Sequence, residues 1–342
     1  MQNNAVVCNN LLIVGDLHFD DTFQGRHKNY VNTCLTTLKK IEERINTADV
    51  GCLVLLGDLV GVSSRNVKSR EILSILCSWF KKLKDRGIRV ISVRGNHDFG
   101  DYPDFEFLVS LGLVETSQTL GGYFDYYGSA DAVEPEVRFH LVDYGMEGRK
   151  LDILTGGQVT NIALTHNNFT IQGVTNWYQA HDGIELANQT NFSGIYMVVN
   201  GHIHAPSPEI AQTDAVWGQP ILLFDLGCPT RPALEKYTSC WFMEFNYKAG
   251  EGTSFNAVPF ELQPLEEEYF LDDDDLAEIA ETQEQVDEKQ RVENLHEILG
   301  EIMTCRISSG DLTEQISRIP NASEDAKNLA ISYLQKAILE VK

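Results

Sequence analysis

The feature that most constrains this chain is a rhythm in which short apolar runs stop at small polar motifs. Residues 11–14 run into Gly15-Asp16-Leu17-His18, and residues 50–56 into Gly57-Asp58. Residues 88–93 lead, past Arg94, to Gly95-Asn96-His97-Asp98. Further on, residues 162–165 end at Thr165-His166-Asn167, and residues 195–199 lead to Gly201-His202-Ile203-His204. Apolar runs this short, bounded by glycine and polar residues, read as buried strands rather than helices. Between the first three lie two stretches with helical spacing. Residues 28–46 carry Val31, Cys34, Leu35, Leu38, Ile41 and Ile45, and the second stretch carries Ile72, Leu73, Leu76, Trp79, Phe80 and Leu83. Strand, helix, strand, helix, strand with right-handed crossovers gives a parallel sheet. Such sheets place ligands just past the carboxyl ends of their strands, where each of these motifs stands. Additional strands are expected at 137–142, 221–224 and 240–245, and the roles of 99–160 stay open.

The chain has 342 residues, enough for a sizeable core and more than one domain, with hydrophobic and charged fractions of 43% and 23% that are ordinary for a soluble protein. No apolar run approaches the ~20 residues that cross a bilayer, so no membrane association is expected. The first ten residues carry neither a basic nor a long apolar segment, so no signal peptide is expected. Seven scattered cysteines, none in a C-x-x-C pair, read as reduced thiols of a cytoplasmic protein.

The net charge of −23 is unevenly spread: residues 1–100 hold 14 Lys+Arg against 10 Asp+Glu, and residues 101–342 hold 13 against 40. The acidic total argues against a simple nucleic-acid coat. Within 65–94 stand nine Lys/Arg against two acids, which is either a strip for nucleic-acid phosphates or the solvated face of a surface helix. From 265 to 303 there are 15 acidic and two basic residues. Helical apolar spacing follows at Val292, Leu295, Leu299 and Ile302, and again at Leu334, Ile338 and Val341. The chain therefore divides into 1–264, an acidic linker or helix at 265–291, and C-terminal helices at 292–342.

A lone Asp-x-His, a lone Gly-Asp or a single His166 means little, since each is usually a satisfied loop residue. Here five of the nine histidines lie in these motifs, all after predicted strands. Mixed carboxylate, amide and imidazole donors suit manganese, iron or zinc, and a shared carboxylate can bridge two ions. Two such ions lower the pKa of water and clamp a phosphoryl group.

In these motifs the chain resembles the calcineurin-like metallophosphoesterases, over about residues 11–245. The resemblance implies an α/β fold, a β-sandwich flanked by helices, with a helical C-terminal tail. It implies two divalent ions, manganese foremost, with magnesium, iron or zinc as alternatives. One ion would be held by Asp16, His18 and His204, the other by Asn96, His166 and His202, with Asp58 bridging. His97 would protonate the leaving oxygen, and Asp98 would orient it.

Several details are similar to the SbcD-type recombination and repair nucleases, including phage-encoded members. These are the segment Ala180-His181-Asp182-Gly183, the turn Leu226-Gly227-Cys228-Pro229-Thr230 followed by Cys240-Trp241-Phe242, and the acidic linker with terminal helices. That resemblance implies a manganese-dependent DNA nuclease, an SbcC-like coiled-coil ATPase partner bound through 292–342, DNA as substrate and a homodimer. Many such sequences read Gly-Asp-x-Phe-His where this chain has Gly57-Asp58-Leu59-Val60-Gly61. A rival is a phosphatase or phosphodiesterase acting on phosphoproteins or small phosphoesters. Arg94 before Gly-Asn-His fits it, while Gly61-Val62-Ser63 stands where an Asp-Arg-Gly extension would be. A metal-free scaffold is the third reading, and the intact motif set speaks against it.

Overall fold

The computed structural model describes residues 4–19, 30–60, 70–99, 104–155, 159–170, 184–206, 211–214, 220–230 and 238–262. The segments expected at 265–291 and 292–342 lie outside the described residues. In chain order the strands are β1 (Ala5–Val7), β2 (Asn10–Val14), β3 (Val50–Leu56), β4 (Arg89–Val93), β5 (Glu115–Thr116), β6 (Tyr123–Tyr127), β7 (Val137–Val142) and β8 (Thr160–Thr165). They continue with β9 (Phe169–Thr170), β10 (Ile184–Glu185), β11 (Met197–Asn200), β12 (Ala211–Asp214), β13 (Pro220–Asp225), β14 (Ser239–Lys248) and β15 (Gly252–Glu261). The helices are α1 (Tyr30–Thr47), α2 (Arg70–Asp85) and α3 (Asp104–Ser110).

Two mixed sheets result. One has the order β15-β14-β2-β3-β4-β5, the other β1-β6-β7-β8-β11-β13-β12, and β9 pairs with β10 apart from both. Strands β2 to β5 run parallel, as do β7, β8, β11 and β13. Antiparallel strands close one edge of each sheet: β14 and β15 the first, β12 the second.

The alternation of side chains along a strand explains why the runs are apolar throughout. In β2, Leu11 and Ile13 face the core between the sheets, with Val54 of β3, Leu164 of β8, Val199 of β11 and Phe245 of β14. Leu12 and Val14 belong to a second core, under the helices. There α1 buries Cys34, Leu38, Ile41 and Ile45, spaced three or four apart, and α2 buries Ile72, Leu76, Phe80 and Leu83. Each such large apolar side chain contributes about 1.5–3 kcal/mol on burial. Helix α2 is closed off by Gly87, two residues past its end, whose φ of 79° and the bond from Ile88 N to Leu83 O form the left-handed cap that favours glycine. A third core, with Val142, Ala163, Val198, Leu223 and Phe192, covers the outer face of the other sheet.

Expected and observed elements differ mainly at their ends. The strand read at 195–199 is β11, Met197–Asn200. The strand read at 240–245 extends to Ser239–Lys248 because all ten of its residues pair with β15 in a hairpin. The stretch 99–160 supplies α3, β5 and β6 ahead of the expected strand at 137–142, which is β7.

Candidate metal centre

Five strand ends converge on one place. From the first sheet, β2 carries Asp16 and His18, β3 carries Asp58, and β4 carries Asn96 to Asp98. From the second, β8 carries His166, and β11 carries His202 and His204. The site therefore draws on both sheets, and the inter-sheet core fixes its geometry.

The glycines of the motifs are seats for neighbouring functional groups. A Cβ on Gly95 would stand 2.1 Å from Asp58 Oδ1, one on Gly201 2.3 Å from Asp16 Oδ1, and one on Gly57 2.5 Å from His166 Nδ1. Three of the polar residues have left-handed backbones: His18 (φ 44°), Asp58 (φ 44°) and His202 (φ 69°). Each such conformation costs on the order of 1–3 kcal/mol and persists where the surroundings over-determine it. His18 N donates to Asp58 O (2.7 Å), His97 N to Asp58 Oδ1 (2.8 Å) and His202 N to Asp16 Oδ1 (2.8 Å), so the motif loops hold one another.

The side chains form one connected cluster. His18 Nε2 lies 3.0 Å from His204 Nε2 and 3.5 Å from Asp58 Oδ2. His166 Nε2 lies 3.2 Å from Asp58 Oδ2 and 3.1 Å from Asn96 Oδ1. His202 Nδ1 approaches Asn96 Oδ1 at 3.0 Å, and His204 Nε2 stands 3.8 Å from Asp16 Oδ2. His166 Nδ1 meets the Leu56 carbonyl at 2.6 Å. A carbonyl only accepts, so Nδ1 carries that proton and Nε2 faces the cluster.

Asp16 and Asp58 are both buried and close enough to repel each other. Burial opposes their ionisation, but the neighbouring His166 wins, and both carboxyls are held below their ordinary range. Burial likewise opposes protonation of His166, and the Asp58 and Asp16 carboxylates overcome it, raising this imidazole well above its usual value. Burial pushes His18 down to about 3, and burial with the His166 charge pushes His202 down to about 4, so both imidazoles are neutral and present lone pairs. Asp98 is raised to about 7 by burial and by Asp58. Its oxygens accept from Leu59 N (3.1 Å) and Gly95 N (2.9 Å), tying the β3 and β4 loops together.

This donor set fits divalent cations. Among the described residues the Oδ2 atom of buried Asp16 has no hydrogen-bond partner, and two imidazole nitrogens face each other at 3.0 Å. One clustered set of donor atoms is Asp58, His166 and His202; another is His18, Asp58 and His97; both share Asp58. His97 is the more exposed imidazole, with Nε2 3.7 Å from Asp58 Oδ2 and its ring 5.1 Å from that of His18.

Other contributors carried no signal strong enough to single them out in the sequence. Buried Asn200 accepts from Thr165 Oγ1 (2.6 Å) and Asn167 N (3.0 Å), and donates to Asn167 O (2.9 Å) and Asp225 Oδ1 (2.8 Å). It locks the ends of β8, β11 and β13 beneath the histidines; its sequence signal was an Asn directly before Gly201. Tyr144, after β7, sits with its ring 5.5 Å from that of His202 and is 41% exposed. Arg94 is engaged with Glu106 and lies over Phe99 and Phe105. In the basic stretch, Lys81 pairs with Asp85, Lys82 and Arg86 with Glu42, and Arg89 with Glu115. Those charges are answered within the fold. The segments at Ala180-His181-Asp182-Gly183 and Gly61-Val62-Ser63 lie outside the described residues.

Residues 10–206 match the family model for calcineurin-like phosphoesterases. No curated protein matches the chain by sequence. Among solved structures, a dimetal phosphatase from Danio rerio is 12% identical with a TM-score of 0.44, covering 74% of this chain and 99% of that one. YfcE, a phosphoesterase from E. coli, is 15% identical with a TM-score of 0.33, covering 74% and 100%. A putative 5'-nucleotidase from Staphylococcus aureus is 10% identical with a TM-score of 0.38, covering 79% and 57%. The family match spans more than half of the chain and includes every strand-end motif from Asp16 to His204, and so the chain belongs to the calcineurin-like phosphoesterases, metal-dependent hydrolases of phosphoesters.

Proposed function

We propose that this protein is a two-metal hydrolase of phosphoesters whose substrates include small phosphomonoesters or phosphodiesters. The carrying observation is Asp58: one buried carboxylate lies within 3.2–3.7 Å of imidazoles from β2, β4 and β8. Asp16, His18 and His204 would hold one ion, Asn96, His166 and His202 the other, and Asp58 both. When bound, two divalent ions supply Lewis acidity, lowering the pKa of water and neutralising charge on a phosphoryl group.

The protein's own residues do the rest. His166 is oriented by Leu56 O, so that its Nε2 faces the cluster. The bond from His97 N to Asp58 Oδ1 fixes the turn that carries His97, whose imidazole stands at the accessible side and donates a proton to the leaving oxygen. Asp98 keeps that turn seated on the β3 loop through Leu59 N and Gly95 N.

A second reading, a DNA nuclease subunit working with an SbcC-like ATPase, draws support from the turn Leu226-Gly227-Cys228-Pro229-Thr230 packed beside the site and leading to β14. In this reading 292–342 binds the ATPase and the protein is a homodimer. Turnover of para-nitrophenyl phosphate, bis(para-nitrophenyl) phosphate, plasmid and end-labelled duplex with manganese separates the two. Hydrolysis of the small esters with intact DNA supports the first. DNA cleavage that grows with an added coiled-coil ATPase, and is lost on deleting 265–342 while the small esters are still cleaved, supports the second. A purified, metal-loaded protein inert toward all four would overturn both.

A further inference from the structure

We infer that Cys228 is a ligand to the ion held by Asp16, His18 and His204, which makes that position a sulfur-bearing site chemically unlike its neighbour. The donor atoms of His18, His204 and Cys228 all lie within 4.8 Å of one another. Opposite nitrogen and sulfur donors on one zinc-sized ion span at most about 4.4 Å, so a small side-chain rotation closes the three onto one cation. Cys228 is fully buried.

The turn that carries this thiol is built into the ligand loops on both sides. Gly227 has a φ of 79°, and a Cβ there would stand 3.0 Å from His204 O and 3.1 Å from Cys240 Cβ. A Cβ on Gly15, the residue before Asp16, would stand 2.1 Å from Gly227 O. Thr230 Oγ1 donates to Leu17 O at 2.6 Å, between Asp16 and His18, and Tyr30 Oη reaches both His18 O and Thr230 Oγ1 at 2.9 Å. The turn is thus fixed to the same backbone that presents Asp16, His18 and His204. With its proton spent on Leu17 O, the Thr230 hydroxyl accepts from the Cys228 thiol, 3.4 Å away. On coordination that thiol proton passes to solvent and sulfur binds as the thiolate.

The consequence is selectivity. Asp16, the shared Asp58, two imidazoles and a thiolate make a position whose sulfur favours a thiophilic ion such as zinc. The position formed by Asn96, His166, His202 and Asp58 has only oxygen and nitrogen donors and accepts manganese-like ions. The pair is then unequal, and a mixed loading is its natural state.

This inference rests on the two-metal reading, and the test separates them. Metal-stripped full-length protein is titrated with cobalt(II) and followed by absorbance, with bound metal counted by elemental analysis. Expected is a sulfur-to-cobalt charge-transfer band in the near ultraviolet that saturates with one of the two ions. In Cys228→Ser the band disappears while cobalt still binds. Zinc affinity falls by more than the roughly ten- to a hundredfold that losing a group merely supporting a ligand costs, and manganese affinity at the other position changes far less. If Cys228→Ser misfolds, alkylation of the wild type mapped by peptide mass spectrometry takes its place, with bound zinc expected to protect Cys228. Two bound ions without the band, a band that survives in Cys228→Ser, or alkylation of Cys228 unaffected by zinc overturns the sulfur ligand alone. Absence of cobalt binding overturns the metal centre with it.

Discussion

Replacing Asp58 by Asn tests the centre with the least structural disturbance. The amide is isosteric, and its Oδ1 can still accept from His97 N, a bond of 2.8 Å in the wild type. What is lost is one negative charge among imidazoles of three strand ends, with Oδ2 3.2 Å from His166, 3.5 Å from His18 and 3.7 Å from His97. At about 4 Å and an effective dielectric constant near 20, one unit charge pair is worth about 4 kcal/mol. A carboxylate that serves two divalent ions loses at least that much at each. At about 1.4 kcal/mol per tenfold, retention of either ion falls roughly a thousandfold or more. The metal-free variant should melt close to the metal-free wild type, because a buried like-charge repulsion with Asp16 is relieved as the attraction to His166 is lost. Addition of manganese should raise the melting temperature of the wild type alone, since only a protein that binds the ion is stabilised by it. Elemental analysis after gel filtration, melting with and without manganese, and hydrolysis of bis(para-nitrophenyl) phosphate give three independent readouts. A variant that keeps two ions and most of its turnover would show that Asp58 bridges nothing.

Other perturbations separate chemistry from architecture. His97→Ala should keep both metals and lower kcat by roughly 10²–10⁴, the scale of a lost general acid; a parallel fall in bound metal would make His97 a ligand instead. Gly95→Ala should abolish metal binding, because its Cβ would enter within 2.1 Å of Asp58 Oδ1 and 2.3 Å of Asp58 N; near-normal occupancy would mean that the β4 loop yields easily. Asn200→Ala strands the partners of four buried hydrogen bonds at about 1–3 kcal/mol for each unsatisfied group, so both melting temperature and metal retention should fall. An unchanged melting curve would remove Asn200 from the platform.

The strand ends were legible because two physical demands coincide there. A run buried on both faces must be apolar, as Leu11 to Val14 of β2, Val50 to Leu56 of β3 and Met197 to Val199 of β11 are. The first residues beyond it leave the core and are free to carry chemistry. Glycine marks the crossing, because the next ligand needs the space a Cβ would fill. Elements without a face-wide apolar demand were harder to see. Strand β15 is mostly half-buried or exposed along its ten residues, so its composition resembles a loop until β14 pairs with it. Strand β6, with aspartate at its centre, is readable only once Arg138 of β7 answers Asp125 through two hydrogen bonds.

Pattern reading along one chain also misses whatever depends on two distant segments meeting. Asn200 looks like an ordinary polar residue before a glycine, and becomes a platform only through Thr165, Asn167 and Asp225. Cys228 reads as part of a hairpin corner, and gains its meaning from His18, 210 positions earlier, and from His204. The residues that present donors are announced by their own strands. Those that set donor angle, charge and softness are placed by other strands, and they tune which cation the centre prefers. For a phosphoesterase whose motifs already fix the reaction class, substitutions at Cys228, Asn200 and Tyr144 test how far these unannounced neighbours set the cation preference of this centre.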